Sequence, residues 1–433
     1  MSYARENGPA VILADATSVF PAVLAQHWRS RGLEVIVVSR DVSQDTRLAD
    51  GTPVVSSLPF EGRALWKVRQ WLGPLLQRFE SSVVKAFKRR FRARTGKDEP
   101  TPYECRFVNH YFATLPLASA VRAQRPRFVF GQEVAAYGLP TVLCRRIPKI
   151  LFPWGGDVFN AAESSPFLSG LIRCALRRAD LIVPSSFTAA EHIAKRFQVP
   201  ADKVQPISWG VDLQRFRKAD PERRRQICAQ WGIDPAATVC LNARRFQPDW
   251  GCFTALEAFL RVAASSPKAH FVLLGGAGVE DNVRAARAKV EQAGFAPRFT
   301  LIGHDLPLAA CSDFMSISDI FLSLMGRGDM RSSSVLQAAA AGGYPIIADA
   351  PEYRAMERLG FEATFVNQYH AEEVARAVSD CLLRPERRLS AVAHNQKYLS
   401  RYEDKDVQMD RILERIDAVC ERYYRPARNG CAL

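Results

Sequence analysis

Three features that would place the chain in a restricted class of proteins are missing from its 433 residues. No stretch of about 18 residues is both uncharged and strongly apolar, so we expect no membrane-spanning helix. The N-terminal residues lack the layout of a secretory signal peptide, so none is expected. The ten cysteines form no C-x-x-C pair and no Cys/His cluster. This argues against a zinc site or a disulfide framework and indicates a reducing, cytoplasmic compartment.

What remains is an ordinary globular composition, with 48% hydrophobic and 24% charged residues. A chain of this length predicts two or three domains. The net charge of +14 is concentrated in one place, because residues 63–97 hold eleven Lys or Arg and one Glu. The rest of the chain is close to balance, so the basic character points to a local docking surface.

Short apolar runs alternate with helical stretches along the first half of the chain. Residues 10–14 are the first predicted strand, a helix follows over 20–31, and 34–39 are the second strand, which is β-α-β spacing. Further predicted strands are 53–57, 128–131, 150–154, 181–184 and 204–209. Buried runs that alternate with helices predict a parallel sheet covered on both faces.

A second series of the same kind begins at residue 239. Its predicted strands are 239–244, 270–276, 299–303, 320–325, 344–349 and 363–367. The chain therefore divides into two α/β domains, which we place at residues 1–215 and 216–403. The remaining segment, 404–433, contains apolar residues on one helical face and predicts a C-terminal helix.

The basic segment 63–97 has apolar residues at spacings of three and four, which predicts an amphipathic helical insertion in the first domain. Such a helix with aromatic residues suits an anionic membrane surface. The candidate membrane contacts are Trp66, Trp71, Lys85, Lys88, Arg89 and Arg90. One alternative is a helix packed on its own domain with solvated basic residues. Nucleic acid is the weaker alternative, because no recognised binding module accompanies the charge.

The segment 320–349 carries the most information. An apolar strand is followed by a polar loop, by three serines that open an alanine-rich helix, and by a second buried strand. Serines at a helix start can cap its free N–H groups, and those groups attract anions. Ser332 and Ser333 are therefore candidate anion-binding residues. Asp329 precedes them, and Gln337 lies eight residues after Asp329, in the helix.

This segment resembles the frame E-G-F-G-x-x-x-L-E-A-M-A-x-G-x-P-V-V-A of retaining glycosyltransferases of family 4, which have the GT-B fold. Asp329 and Gln337 stand at the positions of its two glutamates. The resemblance implies that Asp329 lies near the transferred sugar as a catalytic residue and that Gln337 holds the ribose. It also implies two Rossmann-like α/β domains facing across a cleft, the second binding a nucleotide sugar, with the C-terminal helix crossing back to the first.

The segment A-R-R-F-Q-P-D-W-G, residues 243–251, resembles the family's G-R-x-x-x-x-x-K-G, in which Arg and Lys clamp the donor diphosphate. Arg244 or Arg245 fits the arginine, and the sequence does not choose between them. Trp250 replaces the lysine, and Arg327 or Arg331, beside the serines, is a candidate replacement for its charge. Further candidates for donor binding follow neighbouring strands: Gly275, Gly303 and His304.

In the first domain, P-W-G-G-D at residues 153–157 resembles the family's H-G-x-D, with Trp154 in place of the histidine. Asp157 then contacts the acceptor or the sugar; the alternative is that it caps the segment that follows. Trp154, Glu133 and His110 are candidates for the acceptor side.

The resemblance implies transfer of a sugar from a nucleotide sugar, of UDP or GDP type, to a lipid-linked or other glycan acceptor with retention of configuration. No catalytic metal and no cofactor are implied, and the D-x-D at 404–406 lies at a helix start, which argues against a metal site. The basic insertion suggests a peripheral position on the inner face of the membrane. A catalytically decayed scaffold protein, favoured by Trp154, Trp250, Asp329 and Gln337, and a nucleotide-sugar epimerase are the alternatives.

Overall fold

The computed structural model describes residues 7–16, 18–40, 46–56, 114–164, 166–247, 250–276, 280–324 and 332–425. The chain divides into two compact units, Met1–Ile207 with Met409–Leu433, and Ser208–Gln408. Several predicted features lie outside the described residues: the insertion 63–97 with its six candidate membrane contacts, and the site candidates His110, Arg327, Asp329 and Arg331.

One sheet forms the described part of the first unit, with strand order β3-β4-β2-β1-β5-β6-β7. All neighbouring strands are parallel except β3, which pairs antiparallel with β4. The strands are β1 (Ala10–Leu13), β2 (Val35–Ser39), β3 (Thr46–Arg47), β4 (Pro53–Ser56), β5 (Phe128–Gln132), β6 (Lys149–Phe152) and β7 (Leu181–Ile182). The predicted parallel sheet is thereby confirmed.

Helices cover both faces of this sheet. They are α1 (Val19–Ser30), α2 (residues 114–123), α3 (Leu139–Val142), α4 (Ala162–Ser164), α5 (Pro166–Arg178) and α6 (Phe187–Phe197). Short π-helical segments at Val134–Gly138 and Asp157–Ala161 follow β5 and β6, and a 3-10 turn spans Ala201–Lys203. On one face, the fully buried Trp28 of α1 makes edge contacts with Phe128 and Phe130 of β5. On the other face, α2 and the π-helical segment Val134–Gly138 pack on alternate residues of the same strands.

The predicted strand at 204–209 is wrong. Only Val204 forms a bridge, with Ile182 of β7. The N–H groups of Gln205 and Ile207 donate to the carbonyls of Ile182 and Pro184, but Pro184 has no N–H with which to return a bond to this segment. The segment therefore runs along the sheet edge without completing a strand.

The second unit contains one parallel sheet, described with strand order β10-β9-β8-β11-β12-β13. Its strands are β8 (Thr238–Asn242), β9 (Ala269–Leu274), β10 (Phe299–Ile302), β11 (Ile320–Ser323), β12 (Tyr344–Ala348) and β13 (Thr364–Val366). Each matches a predicted strand to within two residues at either end. Counted within the unit, this is the order 3-2-1-4-5-6 of a Rossmann-type sheet.

Helices again lie on both faces. They are α7 (Pro221–Trp231), α8 (Cys252–Ser265), α9 (Glu280–Gln292), α10 (Leu308–Ile317), α11 (Ser333–Ala340), α12 (Pro351–Arg358), α13 (Ala371–Leu383) and α14 (Pro385–Tyr402), with a 3-10 turn at Ala296–Arg298. One core cluster packs α8, α9 and α13 on the sheet, and a second packs α7, α10, α11 and α12 on the opposite face.

The C-terminal helix α15 (Lys405–Tyr424) contributes its residues from Met409 onward to the first unit. Asp410 receives hydrogen bonds at 2.6 and 2.8 Å from the Arg31 guanidinium and lies 2.8 Å from Nε2 of His27, both on α1 or at its end. The Tyr424 hydroxyl donates to the carbonyl of Arg127. No helix in the described ranges combines the length and apolar character needed to cross a membrane.

Candidate functional site

The carboxyl ends of β8 and β11 meet in the middle of the second sheet. The helix after β8 packs on one face of the sheet, and the helix after β11 packs on the other. Where neighbouring parallel strands lead to opposite faces, a crevice opens outside their carboxyl ends, and ligands of open α/β sheets bind there. Two of the predicted donor-site motifs follow these two strands.

Arg244 spans this crevice. It follows β8, and its Nε donates a hydrogen bond of 3.2 Å to the hydroxyl of Ser323, the last residue of β11. A terminal guanidinium nitrogen donates a second bond to the hydroxyl of Ser332, immediately before α11. A permanently charged group is therefore held at the start of a helix, where the helix dipole already favours an anion.

The Ser332 side chain does not cap α11, so the predicted capping is wrong for the residue at the cap position. Its hydroxyl is engaged by Arg244 and lies 2.8 Å from the hydroxyl of Ser334. The backbone N–H of Ser332 donates to the phenol oxygen of the buried Tyr353, at 3.2 Å. Sequence reasoning missed Tyr353, because it belongs to α12 and no local motif links it to the serines.

Arg245 is directed elsewhere. A Cβ placed on Gly276 would lie 3.5 Å from Nε of Arg245 and 3.3 Å from a carboxylate oxygen of Asp305. Arg245 is exposed, whereas Arg244 is half-buried against two hydroxyls. The structure thus separates the two arginines that the sequence left equivalent.

Trp250 lies beside Arg244 and is 40% exposed. The Arg244 guanidinium carbon is 6.0 Å from the centre of its ring, at the outer limit of a cation–π contact. The next residue, Gly251, has φ of 69° and approaches the carbonyl of Leu324 so closely that a Cβ would lie 2.1 Å from that oxygen. Gly251 therefore fixes the loop that carries Trp250 against the end of β11.

The other predicted donor-side residues lie on the same half of the sheet or on α11. Gly275 and Gly303 follow β9 and β10, and a Cβ on either would meet Val283 of α9 at 3.0 Å, so the packing at both glycines is tight. His304 is exposed, Ser333 is exposed, and Gln337 is half-buried in the second turn of α11. Asn242 ends β8, and its amide nitrogen donates to the carbonyl of Leu322 at 3.0 Å.

In the first unit, Asp157 is almost completely buried, with 1% of its surface exposed. One carboxylate oxygen accepts hydrogen bonds from the N–H groups of Trp154, Gly155 and Val158, and the other accepts from Val134 at 2.6 Å. Burial raises the pKa of Asp157, while these four donors act in the opposite direction. The geometry favours the second interpretation of the motif, in which Asp157 organises the backbone of the segments after β5 and β6.

Glu133, another predicted candidate, is the residue that follows β5 directly. It is 5% exposed and has φ of 61° and ψ of 92°. Trp154 is half-buried and packs on Phe20 of α1, with ring centres 5.1 Å apart. The structure therefore brings Glu133, Trp154 and Asp157 to the carboxyl edge of the first sheet.

Within the described ranges, no group of three or more His, Cys, Asp or Glu residues is placed to hold a metal ion. In the D-x-D at 404–406, Asp404 accepts hydrogen bonds from the N–H groups of Asp406 and Val407 and so begins α15. This agrees with the prediction that the motif lies at a helix start.

Comparison with known proteins gives two family matches. Residues 18–215 match the Glycosyltransferase Family 4 model, and residues 223–398 match the Glycosyl transferases group 1 model. A D-inositol 3-phosphate glycosyltransferase of Segniliparus rotundus is 27% identical over 124 residues. That alignment covers 28% of this chain and 27% of the length of that relative.

Solved structures extend the likeness to nearly the whole chain. A sucrose-phosphate synthase from Thermosynechococcus elongatus matches with a TM-score of 0.70 and 13% identity, over 95% of this chain and 99% of that chain. Anabaena Alr3699/HepE in complex with UDP matches with a TM-score of 0.67 and 14% identity, over 95% and 100%. The two family matches and the two Rossmann-like units define the chain as a member of the GT-B glycosyltransferases.

Proposed function

We propose that the protein transfers a sugar from a nucleotide-sugar donor to a hydroxylated acceptor, and that the second unit binds the donor diphosphate at the start of α11. The observation that carries this proposal is the position of Arg244. Its guanidinium lies at the crevice between β8 and β11 and is held by hydroxyls at the end of β11 and before α11. A fixed cation and a helix start together make a site for a phosphate group.

The chemistry requires such a site. Cleavage of the anomeric C–O bond leaves negative charge on the departing diphosphate, so a preorganised positive group lowers the barrier. Arg244 is preorganised because its two serine partners fix the plane of the guanidinium before any ligand binds. In the proposed mechanism the leaving phosphate takes the proton of the acceptor, configuration is retained, and neither a metal nor a cofactor takes part.

Trp250 shows how the site departs from the family pattern. It stands where the family has a lysine and supplies no charge, but its exposed ring offers a stacking surface next to Arg244. We propose that the ring stacks on the base or the sugar of the donor. Gln337 would bind the ribose hydroxyls with one accepting and one donating group, and Asp329 would lie near the sugar.

We propose a uridine nucleotide as the first donor to test, because the structures of HepE contain UDP and UDP-glucose. A direct test incubates the protein with UDP-glucose, GDP-mannose and ADP-glucose and measures release of the nucleoside diphosphate. Release from one donor in the wild type, reduced about 10- to 100-fold in Arg244→Ala and retained in Arg245→Ala, is the expected result. If none of the three donors is turned over but a nucleotide binds, the decayed scaffold becomes the better proposal.

Accumulation of an altered donor without release of nucleoside diphosphate would instead support the epimerase. The two outcomes are separated by chromatography of the nucleotide sugar recovered from the same incubation. We therefore assay both the free diphosphate and the identity of the remaining donor.

We also propose that the acceptor is a lipid-linked or other membrane-associated glycan and that the protein binds the inner face of the membrane peripherally. This proposal rests on the composition of residues 63–97. Vesicles with anionic lipid should sediment the wild type but not a variant with Trp66, Trp71 and Phe79 changed to polar residues. Equal sedimentation of the two proteins would remove this part of the proposal.

A further inference from the structure

The first sheet has its own crevice, between β1 and β5. The chain runs from β1 to its neighbour β2 on one side, and from β5 to its neighbour β6 on the other side. Trp28 of α1 contacts Phe128 and Phe130 on one face of β5, whereas a Cβ on Gly131 would meet the Thr141 hydroxyl of α3 at 2.2 Å on the opposite face. Helices on opposite faces leave a crevice at the carboxyl ends of β1 and β5, as in the second unit.

Gln132 ends β5 at this crevice and has no exposed surface. Its amide nitrogen and its amide oxygen are both buried, and neither has a hydrogen-bond partner in the part of the chain that the structure describes. Buried polar atoms of native proteins are nearly always paired, so an orphaned amide calls for a partner beyond the described residues, such as a bound water or ligand. The contrast is Asn395 in the second unit, which is equally buried but bonds through both amide atoms to the backbone of Glu362, at 2.7 and 2.8 Å.

The next residue, Glu133, has a second unfavourable feature. Its φ of 61° with ψ of 92° lies away from the left-handed helical region that Gln198, with 55° and 47°, occupies at the end of α6. Strained backbone of this kind persists only where the surroundings enforce it, and it concentrates at functional sites. Here Asp157 enforces it, because its carboxylate binds the N–H of Val134 directly after Glu133.

Trp154 completes the group. Phe152 is the register partner of Gln132 in β6, and Trp154 follows two residues after the end of that strand, at the same carboxyl edge. Its half-buried indole packs on Phe20 of α1, and the indole N–H also lacks a partner among the described residues. The Gln132 amide has no exposed surface, so a ligand reaches it only when a covering group moves.

We propose that Gln132 and Glu133, together with the indole N–H of Trp154, bind adjacent hydroxyl groups of a sugar ring in the first unit. An amide both donates and accepts, a carboxylate accepts, and an indole donates, so this set matches vicinal hydroxyls, each of which does both. Asp157 is a positioning residue that holds Glu133 in place. This inference deepens the proposed function, on which it rests for the identity of the ligand as a sugar.

The test measures binding of free glucose, mannose, galactose and N-acetylglucosamine by saturation-transfer NMR, without any nucleotide. We expect signal for at least one sugar with the wild type, weakened about fivefold or more in Gln132→Met, in Glu133→Gly and in Trp154→Phe. Trp154→Phe keeps an aromatic ring beside Phe20 and removes only the indole N–H. Unchanged signals in Gln132→Met, or no signal from any sugar with the wild type, would overturn the proposal.

Thermal unfolding provides an independent readout. Gln132→Met removes two unpaired buried atoms, so it should raise Tm while it weakens sugar binding. Asn395→Leu is the matched control and should lower Tm, because it removes an amide whose bonds are all made. A lower Tm in Gln132→Met would mean that the amide already has a partner within the protein, which overturns the proposal.

Two competition arms identify the source of the ring. If UDP-glucose displaces the free sugar and UDP does not, the ring belongs to the donor; if the free sugar stays bound in the presence of either, the ring belongs to the acceptor. Both results support the site. Failure of nucleotides to bind the wild type would count against the proposed function and leave the sugar titration to decide the present inference separately.

Discussion

The guanidinium of Arg244 is hydrogen-bonded to the hydroxyl of Ser332, which ties the loop after β8 to the start of α11. The backbone of Ser332 is also fixed, because its N–H donates a hydrogen bond to the phenol oxygen of the buried Tyr353. The cation and the helix start are therefore fixed relative to each other before a ligand arrives. Because these groups are already ordered in the free protein, ligand binding loses less free energy to ordering them.

Replacement of Ser332 by alanine tests this relationship. The change removes one of the two serine partners of Arg244 and leaves Ser323 as the other, so the guanidinium is less constrained and we expect nucleotide affinity to fall about 2- to 10-fold. Ser400→Ala is the matched control, since Ser400 is an exposed serine of α14, outside the proposed donor site. Equal effects of the two substitutions in a calorimetric titration would show that the Arg244–Ser332 bond does not organise the site.

Gly251 should tolerate no side chain. A Cβ there would lie 2.1 Å from the carbonyl oxygen of Leu324, and φ is 69°. We expect Gly251→Ala to lower the free energy of unfolding of the second unit by about 2–4 kcal/mol and to displace Trp250. Gly232, with φ of 65° and no atom within 4 Å of its Cβ position, is the control, and Gly232→Ala should cost about 1 kcal/mol. Urea denaturation monitored by tryptophan fluorescence compares the two, and equal losses would argue against the close approach at Gly251.

Asp319 links three elements of the second unit. It accepts hydrogen bonds from Lys218 at 3.0 Å, from Arg224 at 3.1 Å and from the N–H of Val239 at 3.0 Å. Burial alone raises the pKa of Asp319, but the two cations and the N–H outweigh it and hold the pKa below its ordinary value. Asp319→Ala leaves both cations without this partner, and we expect a loss of about 2–3 kcal/mol after allowance for partial exposure.

The same carboxylate makes stability depend on pH. Because its pKa is lower in the folded than in the unfolded state, its contribution is complete above about pH 4–5 and is lost as the pH falls through the lowered value. Urea denaturation at pH 7 and at pH 3 should therefore show a smaller difference for Asp319→Ala than for the wild type. Asp281→Asn is the control, since Asp281 pairs with Arg284 on an exposed helix face, and it should change stability by less than about 0.5 kcal/mol. An equal pH dependence in Asp319→Ala and the wild type would contradict this assignment.

Asp410 anchors α15 on the first unit. Arg31 and His27 both contact its carboxylate, and the hydrogen bond from Arg31 is the main cause that lowers the pKa of Asp410. The carboxylate is about one-third exposed, so we expect Asp410→Ala to lower the free energy of unfolding by about 1–2 kcal/mol. The variant should also be cleaved more readily in α15 by limited proteolysis. Glu414→Gln, at an exposed position of the same helix, should have little effect. Resistance of Asp410→Ala to proteolysis equal to that of the wild type would contradict this role.

Sequence patterns predicted the fold more completely than the site. Apolar runs bounded by glycines and helices located β1, β2 and the six strands of the second unit, because strands buried on both faces are continuously apolar. The exception, residues 204–209, is also apolar, but Pro184 of the neighbouring segment has no N–H to donate to it, and the pattern of apolar residues does not report hydrogen bonding. The antiparallel β3 has only two residues, both exposed, and carries no apolar signal.

The site depends on long-range contacts that the sequence does not contain. Arg244 and Arg245 are adjacent and chemically identical, and only the fold directs the first toward Ser332 and the second toward Gly276. The local sequence predicted that the serines cap the helix, but the Ser332 hydroxyl instead accepts a hydrogen bond from Arg244, which lies on another loop. Gln132 could not be found at all, because an orphaned buried amide becomes visible only when every neighbour is placed.

Calorimetric titration of UDP, GDP and ADP into the wild type, Arg244→Ala and Arg245→Ala tests the central claim most directly. The account predicts that one nucleotide binds the wild type, that Arg244→Ala weakens it about 10- to 100-fold through loss of charge-assisted hydrogen bonds, and that Arg245→Ala leaves it nearly unchanged. Binding of no nucleotide to the wild type, or a loss confined to Arg245→Ala, would contradict the assignment of Arg244 to the donor diphosphate.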